Sequence, residues 1–119
     1  MPKKARKSEE SGNAGDRLNI RIDLAGGLRI GPEKIAVLEE IARSGSLSAA
    51  GRALSMSYRR TWELVEDLNT GLGAPVVETA AGGRGGGGTV LTPAGEAVIE
   101  RYREIEMDTA AAAGSIYLR

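Results

Sequence analysis

The sequence predicts a mainly α-helical domain with a small β component, and three stretches carry that expectation. Residues 46–69, SLSAAGRALSMSYRRTWELVEDLN, read as two short helices around a tight corner. Residues 74–91 place two β-rich pieces, APVVET and TVL, on either side of AAGGRGGGG. Residues 93–113 repeat one face by alternating threes and fours, as a long helix does. Two helices about a corner, then a hairpin, then a long helix describe a winged helix-turn-helix. Its parts are an N-terminal strand, a Gly-rich β-hairpin wing and a long C-terminal dimerisation helix.

A chain of 119 residues is one domain in size. Hydrophobic residues make up 41% but aromatics only 3%, with no Phe, so aliphatic side chains and Ala must fill the core. Residues 1–16 are polar and lack apolar periodicity, which predicts a disordered tail. Its Lys3, Lys4, Arg6 and Lys7 fit a solubilising role better than a DNA-contacting arm. Residues 17–119 form the expected domain.

From 17 to 24, RLNIRIDL alternates, with Leu18, Ile20, Ile22 and Leu24 on one face of a half-buried strand. Ala25, Gly26 and Gly27 turn the chain, and Leu28–Ile30 is a second short extended piece. Pro32 and Glu33 suit a helix start, and Arg43 and Gly45 suit its end, which predicts a helix over 32–43. Ile35, Leu38, Ile41 and Ala42 recur on its face at helical spacing.

Ser46 is the natural cap of the next helix, where Leu47, Ala50 and Leu54 face inward and the small pair Ala49 and Ala50 permits close approach. Leu54, Ser55 and Met56 form the corner, and Ser55 or Ser57 caps the helix over 57–70. Tyr58, Trp62, Val65 and Leu68 mark the expected buried face there, with Trp62 as a core anchor. Tyr58 is open between packing inward and laying its hydroxyl on a phosphate. The hairpin tip has one side chain between Gly82 and Gly88, that of Arg84. Thr92 and Pro93 start the last helix. Its seam of Ala94, Val98, Tyr102 (or Arg101), Ile105, Thr109, Ala112 and Ile116 is longer than one small domain needs. A helix of about 20 residues spans about 30 Å, and a partner helix accounts for the seam. Val98, Tyr102, Ile105, Thr109 and Ala112 are therefore the expected dimerisation residues.

Charge narrows the function. The net charge is zero, which argues weakly against a nucleic-acid binder. The distribution argues the other way. Residues 41–62 hold Arg43, Arg52, Arg59 and Arg60 and no acid, while acids gather over 63–67 and 96–108. A basic face on the corner and the second helix fits double-stranded DNA. The start of such a second helix meets base edges in the major groove. Arg59 or Arg60 pairs with guanine in that reading, against the plainer one of a solvated face paired with Glu63. Ser46, Ser48, Arg52, Ser55 and Ser57 suit phosphate contacts, which set register. Arg84 suits the minor groove, where a narrow floor concentrates negative potential.

Other classes lose support. No Cys and no His leave no thiolate, no imidazole base and none of the commonest metal ligands, so neither an enzyme nor a cofactor is expected. GGRGGGGT lacks the GK[ST] ending of a nucleotide-binding loop. No apolar run approaches the roughly 20 residues of a membrane span, and no apolar segment follows the basic start, so a cytoplasmic protein is expected.

GSLSAAGRALSMSYRRTWELVEDLN, then PVVE, then GGRGGGGTVLTPAGE, together resemble the N-terminal DNA-binding domain of ModE-type molybdate-responsive transcriptional regulators, a LysR-like winged helix. The resemblance covers residues 28–106, and SYRRTW and GGRGGGGTVLT are its most specific parts. It implies a homodimer on an inverted-repeat operator, with recognition-helix contacts at Ser57, Tyr58, Arg59 and Arg60 and a wing contact at Arg84. Full-length members of that family add C-terminal molybdate-binding modules. The chain stops at Arg119, so a stand-alone DNA-binding protein is expected, without molybdate binding. The alternative is an interaction protein that pairs through its last helix with a full-length regulator and modulates it.

Overall fold

The computed structural model describes residues 17–79 and 88–117, with side chains described as far as Gly114. The basic arm over 1–16 and the wing tip with Arg84 lie outside these residues. In chain order the elements are β1 (Ile22–Asp23), β2 (Arg29–Ile30), α1 (Pro32–Ser44), α2 (Leu47–Ala53), α3 (Tyr58–Leu72), β3 (Val77–Thr79), β4 (Thr89–Leu91) and α4 (Pro93–Tyr117). They form a mainly helical domain with two antiparallel two-stranded sheets, β1 with β2 and β3 with β4.

The first strand is shorter than its alternation predicts. Residues 17–23 still alternate between exposed and half-buried, but only Ile22 and Asp23 pair, with Ile30 and Arg29. The partner is the limit. Gly27 turns the chain with φ +102°, its N–H donating to Leu24 O at 2.9 Å, and α1 begins at Pro32, so β2 has two residues to offer.

Local chemistry sets the helix ends. Pro32 and Glu33 open α1, and Gly45 in the left-handed region (φ +71°) closes it, its N–H donating to Ile41 O. Ser46 Oγ accepts the Ala49 N–H at 3.0 Å to cap α2. Ser57 Oγ does the same for α3 through Arg60 N–H at 3.0 Å. Between them Ser55 takes φ +58°, the sharpest point of the corner. The third helix passes the expected stop at Gly71 and ends at Gly73, where φ is +70°.

One core binds the elements. Ile35, Val37, Leu38 and Ile41 of α1 meet Ala50 of α2, Leu64, Val65 and Leu68 of α3, and Val76, Tyr102, Leu28 and Ile30. Of the expected inward face of α3, Val65 and Leu68 are buried, and Tyr58 and Trp62 are not. Thr61, Leu64, Val65 and Leu68 are buried, whereas Tyr58 and Trp62 are 59% and 48% exposed. Trp62 is therefore no core anchor. The reason lies at the corner: a Cβ built on Gly51 would sit 2.6 Å from Thr61 Oγ1, so α2 and α3 approach too closely there for an indole. Thr61 is polar yet fully buried, because its hydroxyl donates to Ser57 O at 2.8 Å.

The hairpin is fixed at its base. Val76 N–H donates to Asn69 Oδ1 at 2.8 Å, and Val76 O accepts Thr92 N–H at 3.0 Å. Thr92 Oγ1 donates to Pro75 O at 2.7 Å and accepts Gly95 N–H at 3.0 Å, which caps α4. The start of β4 is tied to the end of α1 by Thr89 N–H donating to Gly45 O at 2.9 Å.

The last helix runs to Tyr117, past the expected end at 113. Its first half packs on its own domain. Tyr102 is 2% exposed and its hydroxyl donates to Ile20 O at 2.8 Å. Val98 and Ile99 pack against the same core. Tyr102 is thus a core residue of this domain rather than the pairing residue its spacing suggests, since its surface is already spent. Arg103 holds the helix to α1, donating to Glu39 at 2.7 and 3.0 Å and to Glu106 at 2.6 Å. Those carboxylates push the Arg103 guanidinium further above its already high pKa. Ile105 is half-buried; beyond Glu106 most described side chains are exposed, with Thr109 half-buried and Ala112 exposed.

Candidate nucleic-acid interface

The corner and the first turns of α3 collect most of the expected contact residues on one exposed surface. Arg52, Ser55, Ser57, Tyr58, Arg59, Arg60 and Trp62 are all exposed. Ser46 and Ser48 are half-buried on α2 and its cap. The α3 backbone explains the cluster. Burial of Thr61, Leu64, Val65 and Leu68 turns Tyr58, Arg59, Trp62 and Glu63 outward. Those four line one shallow depression.

Each cation has a definite setting. Arg59 Nε meets Glu63 Oε2 at 3.1 Å, the i,i+4 pairing that the sequence offers as the plainer reading. Its side chain remains 83% exposed. An exposed pair of this kind is worth about 0.2–1 kcal/mol, less than a bidentate guanine contact at about 1–3 kcal/mol. Arg59 is thus a cation that a base edge can compete for. Arg60 reaches across to α1 and meets Glu33 Oε1 at 2.8 Å, a contact that sequence spacing could not reveal. Arg52 Nη1 donates to Ser48 Oγ at 3.5 Å, a long contact.

The serines divide by role. Ser46 and Ser57 both cap helices with their hydroxyl oxygens. A capping hydroxyl keeps its proton free to donate, so capping and a phosphate contact are compatible. A second ion pair, Lys34 Nζ to Asp67 Oδ2 at 3.8 Å, joins α1 to the back of α3.

Among the described residues no group of three or more His, Cys, Asp or Glu could hold a metal ion. No described helix is long and apolar enough to cross a membrane.

Comparison with known proteins agrees with this geometry. Residues 32–96, from α1 to the start of α4, match the description "bacterial regulatory helix-turn-helix protein, lysR family". The molybdenum-pterin-binding protein MopB of Rhodobacter capsulatus is 50% identical over 84 residues, which are 71% of this chain and 31% of that protein. The DNA-binding transcriptional dual regulator ModE of Escherichia coli K12 is 39% identical over 71 residues, 60% of this chain and 27% of that one. The chain therefore spans about a third of these relatives or less. Among solved structures, the CbnR DNA-binding domain in complex with DNA superposes with a TM-score of 0.53 at 26% identity. It covers 70% of this chain and 88% of that one.

Proposed function

Because this chain belongs to the lysR family of bacterial regulatory helix-turn-helix proteins, with a DNA-binding unit of the ModE type, we propose that it regulates transcription as a homodimer that reads an inverted-repeat operator. The N-terminal turns of α3 enter the major groove. Arg59 and Arg60 contact guanine, and Tyr58 and Ser57 flank them. Ser46, Ser48, Arg52 and Ser55 contact phosphates and set the register. Arg84, outside the described residues, is assigned to the minor groove on sequence grounds alone.

One observation carries the reading. The exposed edge of α3 presents Ser57, Tyr58, Arg59, Arg60 and Trp62 together, while the apolar side chains of the same helix are buried. The family is one of regulators, not of enzymes.

Pairing is assigned to the outer half of α4, through Ile105, Thr109 and Ala112, with Val98 at its inner edge. Two-fold pairing there would set the two copies of α3 one turn of DNA apart, roughly 34–36 Å, or a multiple of it. Enrichment of a randomised duplex pool on the purified chain tests the whole reading. The expected product is an inverted repeat with half-sites so spaced. A direct repeat or a single half-site would oppose the two-fold arrangement. Failure to enrich any duplex at low salt would instead favour a chain that acts by pairing with another regulator.

A further inference from the structure

We propose that Trp62 reads DNA: with Tyr58 it forms an aromatic ridge on the outer side of α3 that packs against thymine methyl groups in the major groove. This rests on the DNA-binding reading above and extends it to a residue to which that reading assigns no contact.

The single Trp of the chain is not in the core. Trp62 is 48% exposed and Tyr58, one helical turn earlier, is 59% exposed. The inward position beside Trp62 belongs to Thr61, which sits against Gly51 where nothing larger fits. Trp62 and Tyr58 share one depression with Arg59 and Glu63. Two large rings on the outside of a helix need an occupant, and charge selects it. Residues 41–62 carry four arginines and no acid, and Arg59 and Arg60 meet Glu63 and Glu33 in exposed pairs. Exposed pairs of this kind are weak, so a polyanion can draw these cations from their carboxylates.

The chemistry of the ring then selects the feature read. An indole offers a broad apolar face and a single N–H donor. In the major groove the apolar feature is the thymine C5-methyl group. Trp62 lies three residues beyond Arg59, about 4.5 Å along the helix axis. The thymine should therefore fall within about one or two base pairs of the guanine that Arg59 contacts, at 3.4 Å per base pair.

The test uses the full chain and the duplex it enriches from a randomised pool, remade with deoxyuridine in place of thymidine. That change removes methyl groups and leaves the pairing edges intact. The parent should bind the deoxyuridine duplex about fourfold more weakly for each methyl group that Trp62 covers, the worth of one buried carbon. Trp62→Ala and Trp62→Leu, both at an exposed position, should bind the thymidine duplex more weakly than the parent. Trp62→Ala should no longer distinguish the two duplexes. The emission of Trp62 should also shift when the parent binds the thymidine duplex. Equal sensitivity of parent and Trp62→Ala to the missing methyl groups would overturn the inference while leaving DNA binding intact. Indifference of the parent to deoxyuridine would do the same. If the chain enriches no duplex, the DNA-binding reading fails and takes this inference with it.

Discussion

Gly51 of α2 lies directly against Thr61 of α3, with room for a hydrogen and none for a methyl group. A Cβ on Gly51 would stand 2.6 Å from Thr61 Oγ1 and 3.2 Å from Met56 O. The contact joins the burial of Leu64, Val65 and Leu68 in turning Thr61 inward and Tyr58 and Trp62 outward.

Gly51→Ala sets two effects against each other. Ala in a helix interior gains about 0.8–1.0 kcal/mol over Gly. Overpacking costs about 1–3 kcal/mol. Thr61 is fully buried and bonded to Ser57 O, so it cannot swing away without losing that bond. The overpacking cost should win, with a net loss of up to about 2 kcal/mol in urea unfolding. Thr61→Ala in the same chain should return part of that loss, since it removes the atom that clashes.

Gly95→Ala should cost more. Its added Cβ would stand 2.2 Å from Val76 O, a backbone atom already held by Thr92 N–H. Backbone yields less than a side chain, so a loss of about 3 kcal/mol or more is expected. The same unfolding experiment checks it, and a loss smaller than that of Gly51→Ala would contradict the packing described for the hairpin base.

The Tyr102 hydroxyl ties α4 to the N-terminal segment through Ile20 O. Tyr102→Phe should lose about 0.5–1.5 kcal/mol at neutral pH. Burial, and then the negative charge of Glu106, raises the Tyr102 pKa. The sign follows from linkage. Above the ordinary tyrosine pKa of about 10, the unfolded chain releases this proton before the folded one does. Stability should therefore be full below that pH and fall as pH rises past it. The fall should be shallower in Tyr102→Phe, as thermal melts across pH 9–11.5 would show.

On α4 the domain covers Tyr102 and leaves the helix beyond Glu106 largely bare. In the proposed dimer Ile105 pairs at the edge of that stretch, so Ile105→Glu should sediment as a monomer while leaving the helical signal of the domain near its parent value. An unchanged sedimentation mass for the variant would move the pairing surface elsewhere.

Much of this molecule is legible in its sequence, because caps and turns are local chemistry. Ser46, Ser57 and Thr92 cap the helices they precede, and Gly45 ends α1 as expected. The hairpin strands over 77–79 and 89–91 lie inside the β-rich pieces that flank the glycines. What was not legible depends on partners distant in sequence. Periodicity sets Trp62 on the inward face together with Tyr58, which is also open to a phosphate contact, and gives Thr61 no place. The contact with Gly51 and the bond to Ser57 O put Thr61 inward instead. The two-residue length of β2 shortened a strand that looked longer on its own. Tyr102 fell on a seam by spacing, but Ile20 lies close enough to hold it. Glu33 and Arg60 are 27 residues apart, and only the fold brings them together. For the interface, the signal that pointed to α3 was the run of arginines without an acid. Trp62 could have been found by taking Leu64 and Leu68 as the inward pair.

Whether the exposed start of α3 is the reading edge can be measured directly. The most direct measurement is the affinity of the parent, Arg59→Ala and Arg60→Ala for the enriched duplex and for a scrambled duplex at one fixed salt concentration. Loss of a guanine contact should lower the specific affinity by about 1–3 kcal/mol in at least one of the two variants. Binding to the scrambled duplex should change far less, and the melting temperature of the domain should hold. If both variants prefer the enriched duplex over the scrambled one as strongly as the parent does, α3 is not the element that reads the DNA.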